Sequence, residues 1–357
     1  MISPLYIRAA RAITPQDSFK ENELHPPYAS LQGNRFVYKE PVYQDYFTIM
    51  QLRRMSRLTR IGLVAAIECL KDAQQTSPDA IITGTGKGSL HDTEKFMHSI
   101  REFNEGTLNP SPFIQSTYNS LNGLIGLHHQ VHSYNSTYVH RGFSLEHAFI
   151  DAALLMGEGT IQNALVGSYE EMTSEHYIIK NKLGYWKTDE EIRQMVESGL
   201  PISSPGAISG EGSFFFYAQK DRDGASLAIK DIRLWYEPDA AAITAGLDQL
   251  LADHGIGHEQ LDCCLLGRNT DSRYDYYYDR ISEHLGPATH QLQFKQYCGE
   301  FDTAGGFGLW AASRMAAKRA IHPDLIVKKG SAGQLRYGLL YNHYFGRDHA
   351  MYLLEFL

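Results

Sequence analysis

The sequence is poor in cysteine, in tryptophan, in positive charge and in long apolar runs. Only four cysteines occur in 357 residues (Cys69, Cys263, Cys264 and Cys298), and none forms a CxxC pair. Such usage argues against a disulfide framework and for a reducing compartment. No apolar run approaches the ~18 residues that a bilayer span needs. The opening stretch, MISPLYIRAARAITP, carries arginines where the apolar core of a secretion signal belongs. The expected location is therefore the cytoplasm. Lys and Arg number 33 against 41 Asp and Glu, a net charge of −8. No basic face or tail offers itself to nucleic acid. An acidic carrier protein would need a local basic patch, which net charge neither shows nor rules out.

What remains is an ordinary globular composition. Apolar residues make up 43% and charged residues 21%, which excludes a disordered chain, a collagen or a coiled coil. At roughly 150 residues per domain the length corresponds to about two domains. The first 50 residues, rich in Pro and Tyr, read as a strand followed by long loops. From Met55 the apolar positions Leu58, Ile61, Val64, Ala65 and Cys69 return to one face at helical spacing. AIITGTGKGSL then reads as a buried strand entering a Gly-rich turn. Leu121 to Leu127 continues as helix. Leu145 to Met156 is almost all apolar, as in a helix buried on most sides. NALVGS is the next strand. The remainder repeats this grammar: strands SFFFYAQ, LAIKDIRLWY and DCCLL, helices AITAGLDQLLADHG and GGFGLWAASRMAAKRAI, and two closing strands. Strands alternating with helices imply α/β layers, and two similar halves suggest an internal duplication. The polar, Pro-containing stretch from Lys187 to Ser209 reads as the linker.

Residues with chemical potential are few. GTGKGS at Gly84–Ser89 fits neither GxxxxGK[ST] nor GxGxxG, so it reads as a tight packing turn. His128, His129, His132, His140 and His147 have no carboxylate or Cys beside them at a ligand spacing. No metal or cofactor is expected. Asp271, Arg273, Asp275, Asp279 and Arg280, interleaved with four tyrosines, read as a solvated loop entering a helix. Lys295 and Glu300 have the spacing of a structural ion pair or, if buried, of an acid–base pair.

Several segments, taken in order, are similar to the beta-ketoacyl synthases of fatty-acid and polyketide assembly. RRMSRLTRIGLVAAIECL (Arg53–Leu70) resembles their Arg-Met-Ser helix, and ITGTGKGSL the strand and Gly turn that follow. NPSPFIQSTYNSLNGLIGL resembles the segment before the nucleophile, with Asn119 and Gly123 at its Asn and Gly. SGEGSFFFYAQKD resembles the "GEGA" strand, KQYCGEFDTAGG the "KSxxGHxxxAAG" motif, and YNHYFGRDHAMYLL the C-terminal "NSFGFGGxN" segment. The resemblance implies a thiolase-like five-layer α-β-α-β-α fold with two mixed sheets and an internal duplication. Its N-terminal ketosynthase-like half would span residues 1–200 and its C-terminal half 201–357.

The departures from that pattern shape the functional expectation. The family's nucleophilic Cys falls on Gly142, with Ser144 the nearest shifted alternative. Its first His falls on Arg268 and its second on Glu300, and only its Lys is kept, as Lys295. Gly142 is expected at a sharp strand-to-helix turn whose strained φ/ψ suits glycine. Condensation needs a thiolate and imidazole donors to a developing enolate. The implied role is a catalytically silent, chain length factor-like subunit. It would pair with an active ketosynthase, and with an acyl carrier protein, in polyketide, aryl polyene, flexirubin-like or fatty-acid-type elongation. Phe113, Tyr118, Tyr134, Tyr138 and Phe345 are the candidates to shape the acyl tunnel. The alternative is an unconventional acyltransferase or hydrolase using Ser144 or Cys298 with Lys295 and Glu300.

Overall fold

The computed structural model describes residues 2–20 and 23–357. In the first half β1 (Leu5–Ile13) leads through a small hairpin, β2 (Leu31–Gln32) and β3 (Arg35–Phe36). A one-turn helix α1 (Ile49–Leu52) precedes α2 (Arg57–Asp72), β4 (Ala80–Gly84), α3 (Leu90–Glu102), α4 (Pro110–Ser116) and α5 (Ser120–His129). Then follow β5 (Tyr134–Tyr138), α6 (Ser144–Gly157), β6 (Asn163–Glu170), α7 (Ser174–Lys182), α8 (Asp189–Ser198) and β7 (Gly212–Gln219). The second half runs β8 (Leu227–Tyr236), α9 (Ala240–Asp253), β9 (Leu261–Leu266), α10 (Asp275–His284), β10 (His290–Gln293), α11 (Lys295–Cys298), α12 (Gly305–Lys318), β11 (Ile326–Lys328), β12 (Tyr337–Tyr344) and β13 (Asp348–Phe356).

Strand order proves the duplication. The first half reads β5-β4-β6-β7-β1 and the second β10-β9-β12-β13-β8. Senses match position by position: β4 lies parallel to β5 and β6, as β9 does to β10 and β12. In each half the last two pairings are antiparallel. The two five-stranded sheets meet where Leu5–Ile7 of β1 pairs with Leu227–Ile229 of β8, and β11 adds an outer edge to the second. β7, which the sequence reading placed in the second half, pairs with β1 and β6. The repeat therefore turns over between β7 and β8 rather than at residue 200.

The pleat of each strand sorts its side chains into layers, because successive residues face opposite sides. Phe214 and Phe216 of β7, Ala80 and Ile82 of β4, Cys263 and Leu265 of β9, and Tyr352 and Leu354 of β13 enter one central core with α6 and α12. Their alternates split. Ile81, Phe215 and Tyr217 pack on α2 and α5, while Cys264, Leu266, Met351 and Leu353 pack on α9 and α10. The result is the five-layer α-β-α-β-α order. A helix between two sheets is apolar over most of its surface, which accounts for the nearly continuous run in α6 and for the small residues of α12. A Cβ on Gly306 would meet Phe214 of the first sheet at 2.8 Å, and one on Gly308 would meet Leu340 of the second at 2.6 Å.

The structure adds two strands that the sequence reading missed and changes the expected linker. The short strands β5 and β10 have no apolar signature, since YNSTY is polar and HQLQ has only four residues. The expected linker contains α8, opened by a capping box between Thr188 and Glu191 and closed at Gly199 with φ +68°. That stretch does not merely connect. Ser204 bridges to Asp271, Ala207 to Trp186, and Ser209 to both Arg35 and Glu300.

GTGKGS behaves as the packing turn expected. A Cβ on Gly84 would stand 2.2 Å from the backbone carbonyl of Ser144, whereas one on Gly123 in α5 would meet nothing within 4 Å. Opposite signs follow. Gly84→Ala should lose roughly 1–3 kcal/mol by overpacking against backbone that cannot yield. Gly123→Ala should gain about 0.5–1 kcal/mol of helix propensity. Urea denaturation midpoints of the two variants check both.

Candidate functional site

Four connections converge at the carboxyl ends of the parallel strands, where open α/β sheets place their sites. They are the turn between β5 and α6, the loop after β9, the segment from α11 to α12, and the β12–β13 hairpin. The first and third are equivalents under the internal repeat.

Lys295 and Glu300 are brought together. Lys295 Nζ donates to Glu300 Oε2 at 2.7 Å and to the His343 carbonyl at 3.1 Å, and both side chains are wholly buried. Asn269 Nδ2 donates to the same Oε2 at 2.5 Å. Burial pushes the Glu300 carboxyl above its ordinary range, against the pull of Lys295. Arg268 does not join them. Its guanidinium turns out to Asp279 (2.5 Å) and Asp275 (3.6 Å) on α10, so its neighbour Asn269 holds the site position. Charge explains this: two carboxylates on α10 outbid a pocket already holding Lys295.

Gly142 lies in a single 3₁₀ turn, Arg141–Phe143, directly before α6. The left-handed residue is Arg141, with φ +46°, and not Gly142. Glycine is required there for space. A Cβ would sit 2.6 Å from Tyr344 Cβ and 2.8 Å from Asp348 Cβ, both on the hairpin. The Gly142 N–H donates to Asp348 Oδ2 at 3.2 Å.

Above this floor the pocket is filled. Lys180 donates to the Tyr344 hydroxyl, and its Nζ lies 4.6–5.5 Å from the ring centroids of Tyr185, Trp186, Tyr344 and Phe345. Burial, then the charge of Lys87, lowers its ammonium to about 8. Lys87, from the Gly-rich turn, pairs with buried Asp302. Burial would raise that carboxyl, but Lys87 and Lys180 hold it low. Glu170 accepts from the Gly86 N–H at 2.5 Å and is raised by burial and by Asp302. The cavity bordered by Lys295, Asn269 and Thr270 measures about 10 Å³, room for no more than one water.

The other candidate positions divide. Ser144 Oγ is buried, accepting from the His140 N–H and directing its one proton toward the backbone carbonyls of Arg141 (2.8 Å) and Thr85 (3.1 Å). Cys298 is fully buried, and burial pushes its thiol well up. Neither is poised as a nucleophile. Buried His343 and His349 pack on tyrosines of α10, and burial, then the charges of His349 and Lys295, hold the His343 imidazole well below its ordinary range. Phe113, Tyr118 and Tyr134 are exposed, and Tyr138 is half-buried beside His147. Phe345 is not a surface group: it is buried among Tyr185, Trp186 and Tyr344. Sequence reasoning missed Asn269, Lys180, Asp302 and Asp348. Asp302 and Asp348, like Lys87, lay inside segments already singled out.

Residues 32–185 match the model for "Beta-ketoacyl synthase, N-terminal domain". The whole chain superposes on a beta-ketoacyl synthase from Burkholderia phymatum STM815 (TM-score 0.79, 14% identity, 100% of each chain). The fold is that of the ketosynthases. The ishigamide ketosynthase/chain length factor is also similar (TM-score 0.74, 14% identity, 100% of each chain). So is a type II polyketide ketosynthase solved with its acyl-carrier protein and bound to a hexaketide (TM-score 0.76, 14% identity, 99% of this chain and 100% of that one). No curated protein matches the sequence significantly. Among the described residues no helix is long and apolar enough to cross a membrane.

Two outcomes follow for this site. Gly142→Cys should be destabilised by roughly 1–3 kcal/mol, because hairpin atoms occupy the Cβ position. Glu300→Ala should cost about 3–5 kcal/mol by leaving the Lys295 charge buried alone. Chemical denaturation measures both. A third outcome concerns Glu146 on α6, wholly buried with Oε2 unpartnered. Burial raises this carboxyl from 4.5 to about 7. The native state therefore holds its proton longer than the unfolded chain does. The stabilisation is present below the unfolded pKa and drains away as pH rises through the folded one. Glu146→Gln should lose the corresponding part of the stability decline between pH 5 and 8, on the order of 3 kcal/mol. Tm against pH for the two proteins tests it.

Proposed function

We propose that this chain is a non-catalytic, chain length factor-like subunit that pairs with an active ketosynthase and helps set the length of its acyl product. The observation that carries the reading is the sealed pocket. The nucleophile position has no side chain and no space for one, and the space above it holds Lys180 in an aromatic cage. A thioester has no route to a nucleophile here. The acyltransferase or hydrolase reading has the least support, since Ser144 and Cys298 are both buried and spent on backbone bonds.

The edge of the first sheet supports the partner. β5 pairs with β4 on one side only, leaving a row of backbone groups that invites another strand. Large apolar side chains gather on the elements around it. Phe113 and Ile114 of α4, Leu127 of α5, Tyr134 of β5 and Leu154 of α6 are all 40% exposed or more. Such a face suits a large apolar interface. Phe113, resting on Phe96 at 5.2 Å between ring centroids, is the best placed to project into a neighbour's tunnel. The substrates would be polyketide or polyene-type acyl chains delivered on an acyl carrier protein.

The test is co-expression with candidate ketosynthases that retain Cys and both His, then co-purification and product mass analysis. Leu127→Glu should cut complex recovery at least tenfold while leaving the Tm of the isolated chain unchanged. Phe113→Ala should lengthen the product by one or more extension units, since each CH₂ accommodated gains ~0.8 kcal/mol of apolar burial. A lone chain that forms a covalent adduct with an acyl thioester and turns it over would sink the proposal.

A further inference from the structure

A second cluster lies on the outer helical layer of the second half, remote from the Lys295 site. Asp248 projects from the middle of α9, His284 from the last turn of α10, and His258 from the 3₁₀ turn His258–Gln260 that leads into β9. Three elements separated by up to 36 residues thus aim at one point. His258 Nε2 lies 2.9 Å and His284 Nε2 2.6 Å from the same oxygen, Asp248 Oδ1. One ligand atom from each of the three lies within 4.8 Å of the other two, and this is the one such group among the described residues. The imidazole rings stand nearly perpendicular, 5.1 Å apart at 81°, so their nitrogens approach from different directions.

We propose that Asp248, His258 and His284 form a binding site for a borderline divalent cation, of which Zn²⁺ is the type. Two imidazole nitrogens and one carboxylate oxygen are the donor set that such ions prefer over Mg²⁺ or Ca²⁺. Each imidazole gives its Nε2 lone pair and carries its proton on Nδ1. As the rings stand, each Nε2 donates a hydrogen bond to Asp248 Oδ1; metal binding replaces those two Nε2 protons, and His258 Nδ1, buried without a partner, is left to carry one. One carboxylate and two neutral imidazoles leave a net charge of +1 with the ion bound. Side-chain exposures of 50%, 37% and 36% let the ion enter from solvent and leave coordination positions to water. The site clips α9 to α10 over the second sheet, so its role is structural and independent of the function proposed above. The sequence hides it, because positions 248, 258 and 284 match no ligand spacing.

The experiment uses the full chain without a histidine tag, stripped with chelator and titrated with ZnCl₂. One equivalent should bind, and Tm should rise with Zn²⁺ as binding to the native state requires. The His258→Ala/His284→Ala double variant should lose that equivalent and the Tm response. Asp248→Asn should weaken binding by ~10-fold or more. As a check that needs no variant, Co²⁺ should broaden the ring proton resonances of His258 and His284 before those of the other histidines. An undiminished equivalent in the double variant, broadening centred on other histidines, or no binding to the wild type at micromolar Zn²⁺ would each overturn the assignment.

Discussion

A carboxylate enclosed on every side costs several kcal/mol unless its charge is met and its lone pairs are occupied. Glu300 imposes that demand at the centre of this molecule, and much of the surrounding architecture answers it. Lys295 supplies the charge and Asn269 a second donor to the same oxygen, Oε2, while Oε1 stays without a partner. The Glu300 backbone bonds the segment that crosses above it, through its N–H to Ile208 and its carbonyl to Gly210. That segment also pairs with Trp186, Asp271 and Arg35. The ion pair and these backbone bonds tie together the loop after β9, the connection from α11 to α12 and the long excursion between β6 and β7.

The same excursion marks where the two halves of the repeat part company. In the second half β12 passes to β13 by a tight hairpin, with left-handed backbone at Phe345 and Gly346. In the first, the equivalent connection from β6 to β7 carries α7 and α8 and folds back over the pocket. The hairpin of one half and the excursion of the other meet at Lys180, Tyr344 and Phe345. A space that a symmetric duplication would leave open is closed by this asymmetry. Packing density then removes the freedom to restore it, since Gly142 touches the hairpin at distances no Cβ tolerates.

Closure on the inside contrasts with openness on the outside. The first sheet ends in an edge strand flanked by exposed Phe113, Ile114, Leu127 and Leu154, while the second ends in β11, where Lys328 and Lys329 bring charge to the rim. Lysines and short strands blunt an edge, whereas apolar flanks invite a partner. The halves thus share topology but not social behaviour.

The linear sequence determined the layers. Buried runs such as SFFFYAQ, a nearly continuous apolar α6 and the repeated order of elements pointed to α/β layers; the five-layer plan came with the family resemblance, and the spacing of Lys295 and Glu300, five positions apart, allowed them to meet. Those signals are local, carried by neighbours in sequence. Position-by-position resemblance put Arg268 in the pocket, but that choice belongs to tertiary structure, because Asp275 and Asp279 draw the guanidinium out and leave Asn269. It also put strain on Gly142, whereas steric contact with Tyr344 and Asp348, 202 and 206 residues away, is what demands glycine. β5, the cover formed by residues 185–211, the aromatic cage around Lys180 and the Asp248–His258–His284 cluster left no periodic or motif trace. Each depends on side chains distant in sequence arriving at one place, and only the folded chain decides which of them meet.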